Sequence, residues 1–485
     1  MKLHLHPRVS TVDPAHRLSV WVGAFQTTQA PAISWTLNGV QVQPATTRAI
    51  TSARTGSMLP DPNIERAFTG VFEFSGLSAD TFYQITASDN NVSADLLTRT
   101  LPDRVPTGLD NFFNVLLVSC FHAEEDGGGQ ASRIASSLSG PLRPHLTILS
   151  GDQVYLDLPT LQNFPNQIDW LADKFEADYV RNWSETTGYA GVLRAAPSVA
   201  LPDDHEYWNN FPHVSPVIQN SFTQTGRDNW TAAAQAAFSA FQTTAPAGSG
   251  DPISFDVPPL SFFVADTRTH KDPNQMTTLD QNTRDQISDW VAHVIAGNHF
   301  PVLVTGQSLF REAAGLGGNV TDFEMPNYSD YDDLMRKLAE LADAGRPLLC
   351  LTGDVHWGRV TSVVDLTKFR PAMFEIISSP TALVTSVGFD QLHQFTSAIG
   401  GFFGAIDPFP RHASADAAPI FLASNALSGR FACQQMHAQK GNHLALLRFR
   451  QSGGSVELRV VYWPWPEKGP PLPPVELNSI TLTPF

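Results

Sequence analysis

Four apolar runs in this chain each stop at residues able to bind a metal ion. Residues 113–118 lead into Ser119, Cys120, Phe121 and His122. Residues 146–149 lead into Gly151, Asp152 and Tyr155, and residues 198–201 into Asp203, Asp204, His205 and Glu206. Residues 348–351 lead into Gly353, Asp354 and His356. An open α/β sheet binds its ligands outside the carboxyl ends of its strands. Four such stops therefore point to one metal centre assembled from four loops.

Each cluster is weak by itself. Gly-Asp at 151–152 is a common turn, although a one-turn loop would put Asp152 and Tyr155 on one side. Asp354 and His356 are two apart, so extended backbone would aim a carboxylate and an imidazole at one point, which suits a metal. The acids at 203–206 could form a solvated turn. They also directly follow an apolar strand, and clustered acids repel unless a cation or proton intervenes. Cys120 alone reads as a core cysteine.

These loops need strands behind them, and the pattern supplies them. After residue 106 apolar runs alternate with helical segments, which argues for an α/β fold. Helices are expected at 168–183, 279–296 and 331–344, the last capped by Ser329, with further strands at 260–265 and 302–305. The C-terminal runs 444–449 and 456–462 read as β. Residues 17–100 read as all-β, with alternation at 18–22, 68–74 and 82–88, which suggests a β-sandwich. The turn at 76–81 followed by Tyr83 resembles a corner of fibronectin type III modules, where a tyrosine hydroxyl bonds back to the chain. Residues 101–106, with two prolines bracketing charges, read as a linker. Gly441-Asn442-His443 reads as a turn entering a strand. The aromatic-rich stretch 207–255 is read as a satellite core, with an apolar lid as the other option.

The chain has 485 residues, 42% of them apolar, and no low-complexity tract, so it is an ordinary globular protein of two expected domains. The net charge of −16 disfavours nucleic acid and anionic membranes as partners, which need clustered Lys and Arg. A phosphate substrate stays open, because metal ions can dominate the local charge. Three cysteines imply no disulfide framework, and Cys350 reads as a buried small hydrophobe. The N-terminus carries no apolar leader, so the sequence as given reads as cytoplasmic, or periplasmic or secreted if a leader was removed.

In order and spacing the four clusters resemble the alkaline phosphatase D (PhoD-like) branch of the calcineurin-like metallophosphoesterases. Asp266-Thr267-Arg268 and residues 330–334 match further elements of the pattern. The resemblance implies a four-layer αββα catalytic domain over 105–485, behind an all-β, fibronectin III/Ig-like domain over 1–104. It implies that Cys120, Asp152, Tyr155 and His356 hold a first metal. Asp152 would bridge to a second, held also by Asp204 and Asp354, and His205 would face the substrate phosphate. The donor types suit Fe3+ in the first site, where thiolate and phenolate meet, and Ca2+, or else Mn2+ or Mg2+, in the all-oxygen second site. The expected reaction is hydrolysis of a small phosphate ester by in-line attack at phosphorus, the paired metals lowering the pKa of the attacking water. Arg268 is expected on a phosphate oxygen, and Asp203 or Glu206 behind His205. Phe121 stands where the branch often has Gln. The competing reading is a binding protein with a structural metal site.

Overall fold

The computed structural model describes residues 1–485 apart from 55–57, 59–63, 91, 160–163, 244–250, 311–324, 357, 383–418, 421–426, 428 and 467–468. Eight strands come first: β1 (Lys2–Arg8), β2 (Arg17–Thr27), β3 (Ser34–Leu37), β4 (Val40–Val42), β5 (Ala45–Ser52), β6 (Arg66–Ser75), β7 (Phe82–Asp89) and β8 (Val92–Arg99). Next come β9 (Phe113–Val118), α1 (Gln130–Ser137), β10 (Leu146–Ser150), α2 (Ile168–Ser184), α3 (Ala190–Ala195), β11 (Ser198–Leu201) and α4 (Gln224–Phe241). A second run follows: β12 (Ile253–Val257), β13 (Leu260–Val264), α5 (Gln281–Gly297), β14 (Phe300–Val304), α6 (Tyr331–Asp343), β15 (Leu348–Thr352), β16 (Gly358–Asp365) and β17 (Arg370–Ile377). The chain closes with β18 (Pro419–Ile420), β19 (Phe431–Gln439), β20 (Asn442–Ser452), β21 (Ser455–Trp465), β22 (Val475–Glu476) and β23 (Ile480–Leu482).

The result is a mixed α/β protein with three sheets. The largest runs β22, β21, β20, β9, β10, β11, β1, β2, β6, β5, with β23 also on β21. The second runs β12, β13, β14, β15, β17, β16, β19, β18, and the third β4, β3, β7, β8. The strands that feed the site, β9, β10 and β11 in one sheet and β13, β14 and β15 in the other, are parallel within each sheet. Their carboxyl ends therefore open on one edge of each sheet.

Alternation along the strands sends neighbouring side chains to opposite faces. Val115 and Leu117 of β9 share a core with Val264 of β13 and Val302 of β14. Leu116 and Val118 share another with Ile134, Phe175 and Trp230 of the helices α1, α2 and α4. On the second sheet, Leu303 and Cys350 join Trp290 of α5 and Leu338 of α6. Each fully buried large apolar side chain contributes about 1.5–3 kcal/mol. Both rows of strand ends are thus set on packed, rigid supports.

The N-terminal strands use a further core, in which Leu5, Val20 and Val22 meet Trp35, Tyr83 and Ile85. The Tyr83 hydroxyl accepts the Ser78 N–H at 2.7 Å, the bond expected from the corner sequence. The strand β1 joins the largest sheet by a parallel contact at Arg8 and Ser198, so that sheet takes strands from both sides of residue 104. The stretch 101–106 is packed: Leu101 and Val105 are buried, and the Val105 N–H donates to Pro258 O at 2.7 Å.

Two expectations about α6 and the 207–255 stretch can be judged. Ser329 does not cap α6; its hydroxyl donates to Met276 O at 2.8 Å, and the residue before the helix is Asp330. A Ser one position too early loses to the local turn. Trp208, Phe211, Trp230 and Phe238 are buried, so these aromatic side chains of 207–255 are core, whereas Phe222 is exposed. Gly441 has φ +71 and the strand starts at Asn442, as the turn reading has it.

Candidate metal centre

Backbone geometry marks the site before any side chain does. Cys120, Asp152, Asp354 and His356 all have left-handed backbone, with φ of 53, 58, 63 and 52°. For residues other than glycine this conformation costs of order 1–3 kcal/mol each. Neighbouring loops hold it in place. The Cys120 N–H donates to Gly151 O at 3.1 Å, Phe121 N–H to Asp152 O at 2.7 Å, and Gly353 N–H to Gly306 O at 2.9 Å. The two glycines before Asp152 and Asp354 are close-approach positions. A Cβ on Gly151, itself at φ +93°, would lie 2.6 Å from Asp203 Cβ, and one on Gly353 would lie 2.3 Å from Ser150 O.

The four loops converge in overlapping donor groups: Asp152, Asp204 and His205 form one, and two others extend to either side of Asp152. Ligand atoms of Cys120, Asp152 and His356 lie within 4.8 Å of one another, and the Tyr155 hydroxyl is 3.2 Å from His356 Nε2. Ligand atoms of Asp152, Asp203, Asp204 and Asp354 lie within 4.8 Å of one another. Asp152 belongs to both groups, and Cys120 Sγ donates to its Oδ2 at 3.4 Å. Asp203 was not among the expected ligands; it becomes a candidate because β11 delivers it beside Asp204.

These residues fit metal ions on two counts. Asp203 Oδ2 and Asp354 Oδ2 are buried and make no hydrogen bond among the described residues, which is costly for a carboxylate unless a cation meets it. The protonation preferences agree. Burial, then the Asp152 and Asp354 carboxylates, push the Cys120 thiol well above its usual range. Burial, then Cys120 and Asp152, do the same to Tyr155. Burial raises Asp152 as well, with Asp204, Asp203 and Glu206 adding to it against His205. A bound cation inverts this balance and lets thiolate, phenolate and carboxylates coexist.

Around the donors stands a shell that the sequence only partly foretold. His205 Nδ1 donates to both Asp157 carboxylate oxygens, at 2.9 and 3.0 Å. Burial lowers the His205 pKa, but Asp157, Asp204 and Asp152 outweigh it and hold the ring well above the usual histidine range. Neither Asp203 nor Glu206 fills the role expected for them behind His205. The Asp203 carboxylate takes the Arg268 Nε–H, and Glu206 accepts the backbone N–H groups of Asp152, Gln153 and Asp203. Burial pushes Glu206 up to about 7. Arg268 is fully buried on Asp203, with Nη2 3.5 Å from Asp204 Oδ1 and Nη1 donating to Phe211 O at 3.2 Å. Against the burial that would raise it, Arg268 first and then His205 hold Asp204 at about 2.

Ser379 was also missed. Its hydroxyl donates to Cys120 Sγ at 3.1 Å and accepts the His356 N–H at 2.9 Å, tying two ligands of the first group together. Only a strand end, β17, foretells it, with no metal-binding residue type. Phe121 turns away from the centre and stacks on Tyr189 at 4.1 Å between ring centroids. His122 lies nearby, its ring 5.9 Å from that of Tyr155. Trp357, which follows His356, lies outside the described residues.

No family model and no curated protein matches this chain. Solved structures do. A structure of PhoD superposes with a TM-score of 0.61 at 12% identity, covering 99% of this chain and 89% of that one. An anchor protein of the inner membrane complex of Plasmodium matches with a TM-score of 0.36 at 10% identity, covering 76% of this chain and 89% of that one, and that overlap carries no argument. The chain has the fold of PhoD along nearly its whole length.

Proposed function

We propose that this protein is a metal-dependent phosphoric ester hydrolase acting on small phosphate mono- or diesters. The observation that carries the reading is Asp152, one buried carboxylate shared by two adjoining donor groups of different chemistry. Cys120, Asp152, Tyr155 and His356 would hold a first ion, for which the thiol and phenol favour Fe3+. Asp152, Asp204 and Asp354, with Asp203 adjoining, would hold a second, for which oxygen donors favour Ca2+, with Mn2+ or Mg2+ behind it. The four cores described above support a four-layer αββα arrangement with an N-terminal β-sandwich, and the PhoD likeness supports the same reading.

When bound, the metal pair supplies charge for the phosphoryl oxygens and lowers the pKa of the attacking water. The remaining work falls to the chain. Asp157 fixes His205 with Nδ1 as donor, so the proton at Nε2 is the one to give to the leaving oxygen. The same carboxylate is the largest influence raising the ring's pKa, which favours the protonated form a general acid needs. Arg268 serves by offsetting the charge of Asp203 and Asp204, on which its side chain is fully buried. A purely structural metal site has no use for a proton-bearing imidazole held in this way, which disfavours the binding-protein reading.

The test is hydrolysis of p-nitrophenyl phosphate beside bis-p-nitrophenyl phosphate across pH 6–10, before and after chelation and with iron and calcium restored. We expect turnover that chelation abolishes and metal restores, the preferred substrate deciding monoester or diester. Folded, metal-loaded protein without turnover on either ester would overturn the reading.

A further inference from the structure

A second constellation of metal-binding residue types lies away from the centre. Asp256 is on β12, the edge strand of the second sheet; His293 is on α5; His299 follows that helix and precedes β14. Asp256 pairs with Ser261 at the start of β13, and His299 adjoins Phe300 at the start of β14. The three residues therefore sit at the amino ends of the parallel strands β13 and β14, the edge of this sheet opposite the one that carries Asp354.

We propose that Asp256, His293 and His299 form an additional site for a divalent transition-metal ion, with zinc the best fit. Their ligand atoms all lie within 4.8 Å of one another. His293 Nε2 is 2.9 Å and His299 Nε2 4.0 Å from the same oxygen, Asp256 Oδ2. Zinc bonds of about 2.0–2.1 Å at tetrahedral angles set neighbouring ligand atoms about 3.3 Å apart, a value these two distances bracket. Two imidazoles and one carboxylate with one position open is a donor set that zinc accepts. The His293 side chain is 52% exposed, Asp256 31% and His299 16%, so solvent reaches the site and an ion can enter. Asp256 and His293 line a cleft of about 660 Å³.

The local backbone is shaped to bring the two imidazoles together. Asn298 ends α5 in left-handed conformation at φ 56°, and the His299 N–H folds back onto Val294 O at 3.0 Å. That reversal stacks the His299 ring on His293, with centroids 5.1 Å apart and planes 21° from parallel. Gly297 makes room for it. A Cβ there would lie 2.4 Å from His299 Cδ2 and 2.5 Å from Nε2, forcing the ring off its position. His299 Nδ1 is buried without a hydrogen bond among the described residues, so Nε2 is the atom turned toward Asp256.

Calorimetric titration of the metal-loaded protein with ZnCl2 tests this, comparing wild type with the His293→Ala/His299→Ala double variant and with Gly297→Ala. We expect wild type to take up one more zinc ion than the double variant. Gly297→Ala, which keeps all three ligands but displaces one, should bind that ion at least tenfold more weakly. Ester hydrolysis should be unchanged in all three proteins, which also reports that each is folded. Equal zinc stoichiometry and affinity in wild type and double variant would overturn the proposal, as would undiminished affinity in Gly297→Ala. If the double variant fails to fold, Asp256→Asn takes its place with the same expected loss.

Discussion

Asp157 shows what a sequence hides at the scale of single residues. It stands two positions after Tyr155 with no motif around it, yet it is the carboxylate that orients His205. The ligand types were legible because each follows an apolar run. Asp157 and Ser379 were assigned no such roles, and Asp203 was given the orienting role that Asp157 fills, because ordinary acids and serines acquire these roles only through a fold. Replacing Asp157 by Asn removes the largest force holding the His205 pKa up. The sign follows: a lowered pKa means the ring loses its proton earlier as pH rises. We expect the alkaline limb of the kcat profile to move to lower pH and kcat to fall about 10–100-fold, with metal content kept. An unchanged limb would remove His205 as the general acid. His205→Ala itself should cost about 10²–10⁴-fold in kcat, read from steady-state rates on the better ester.

Elements set the distances between these residues. The strands β9, β11, β13, β14 and β15 lie where their apolar runs put them, within two residues at either end, because burial in a packed core fixes them. The turn chemistry at their ends was less legible. Gly-Asp at 151–152 could be read as a plain turn and 353–356 as extended backbone, whereas both glycines are needed because another loop passes within contact distance. Gly353→Ala would drive a methyl group into Ser150 O, adding roughly 1–3 kcal/mol of strain. We expect it to weaken both metal sites at least tenfold in competition with a chelator while circular dichroism stays native. Arg268 belongs to the same scale, since it joins the loop after β13 to that after β11. Its loss leaves two buried carboxylates uncompensated. Arg268→Ala should lower unfolding stability by about 3–5 kcal/mol in a denaturant titration of metal-free protein. A change below about 1 kcal/mol would show that the pair is not buried in solution.

At the scale of the whole molecule, the division into an early β region and a later α/β region was legible from the change in periodicity. The pairing of β1 with β11, two hundred residues apart in order of magnitude, was not, because strand alternation carries no information about which distant edge a strand will meet. The same limit applies to the centre. Four loops could be seen to end in ligand types, but only long-range pairing makes Asp152 common to two donor groups. That shared carboxylate is also the most direct point of attack. Elemental analysis of purified wild type and Asp152→Asn, with hydrolysis measured on the same samples, decides the matter. We expect wild type to carry metal in both sites and the variant to lose both ions together with activity. A variant that keeps its full metal content, or loses one ion and still turns over, would contradict a single centre built around Asp152.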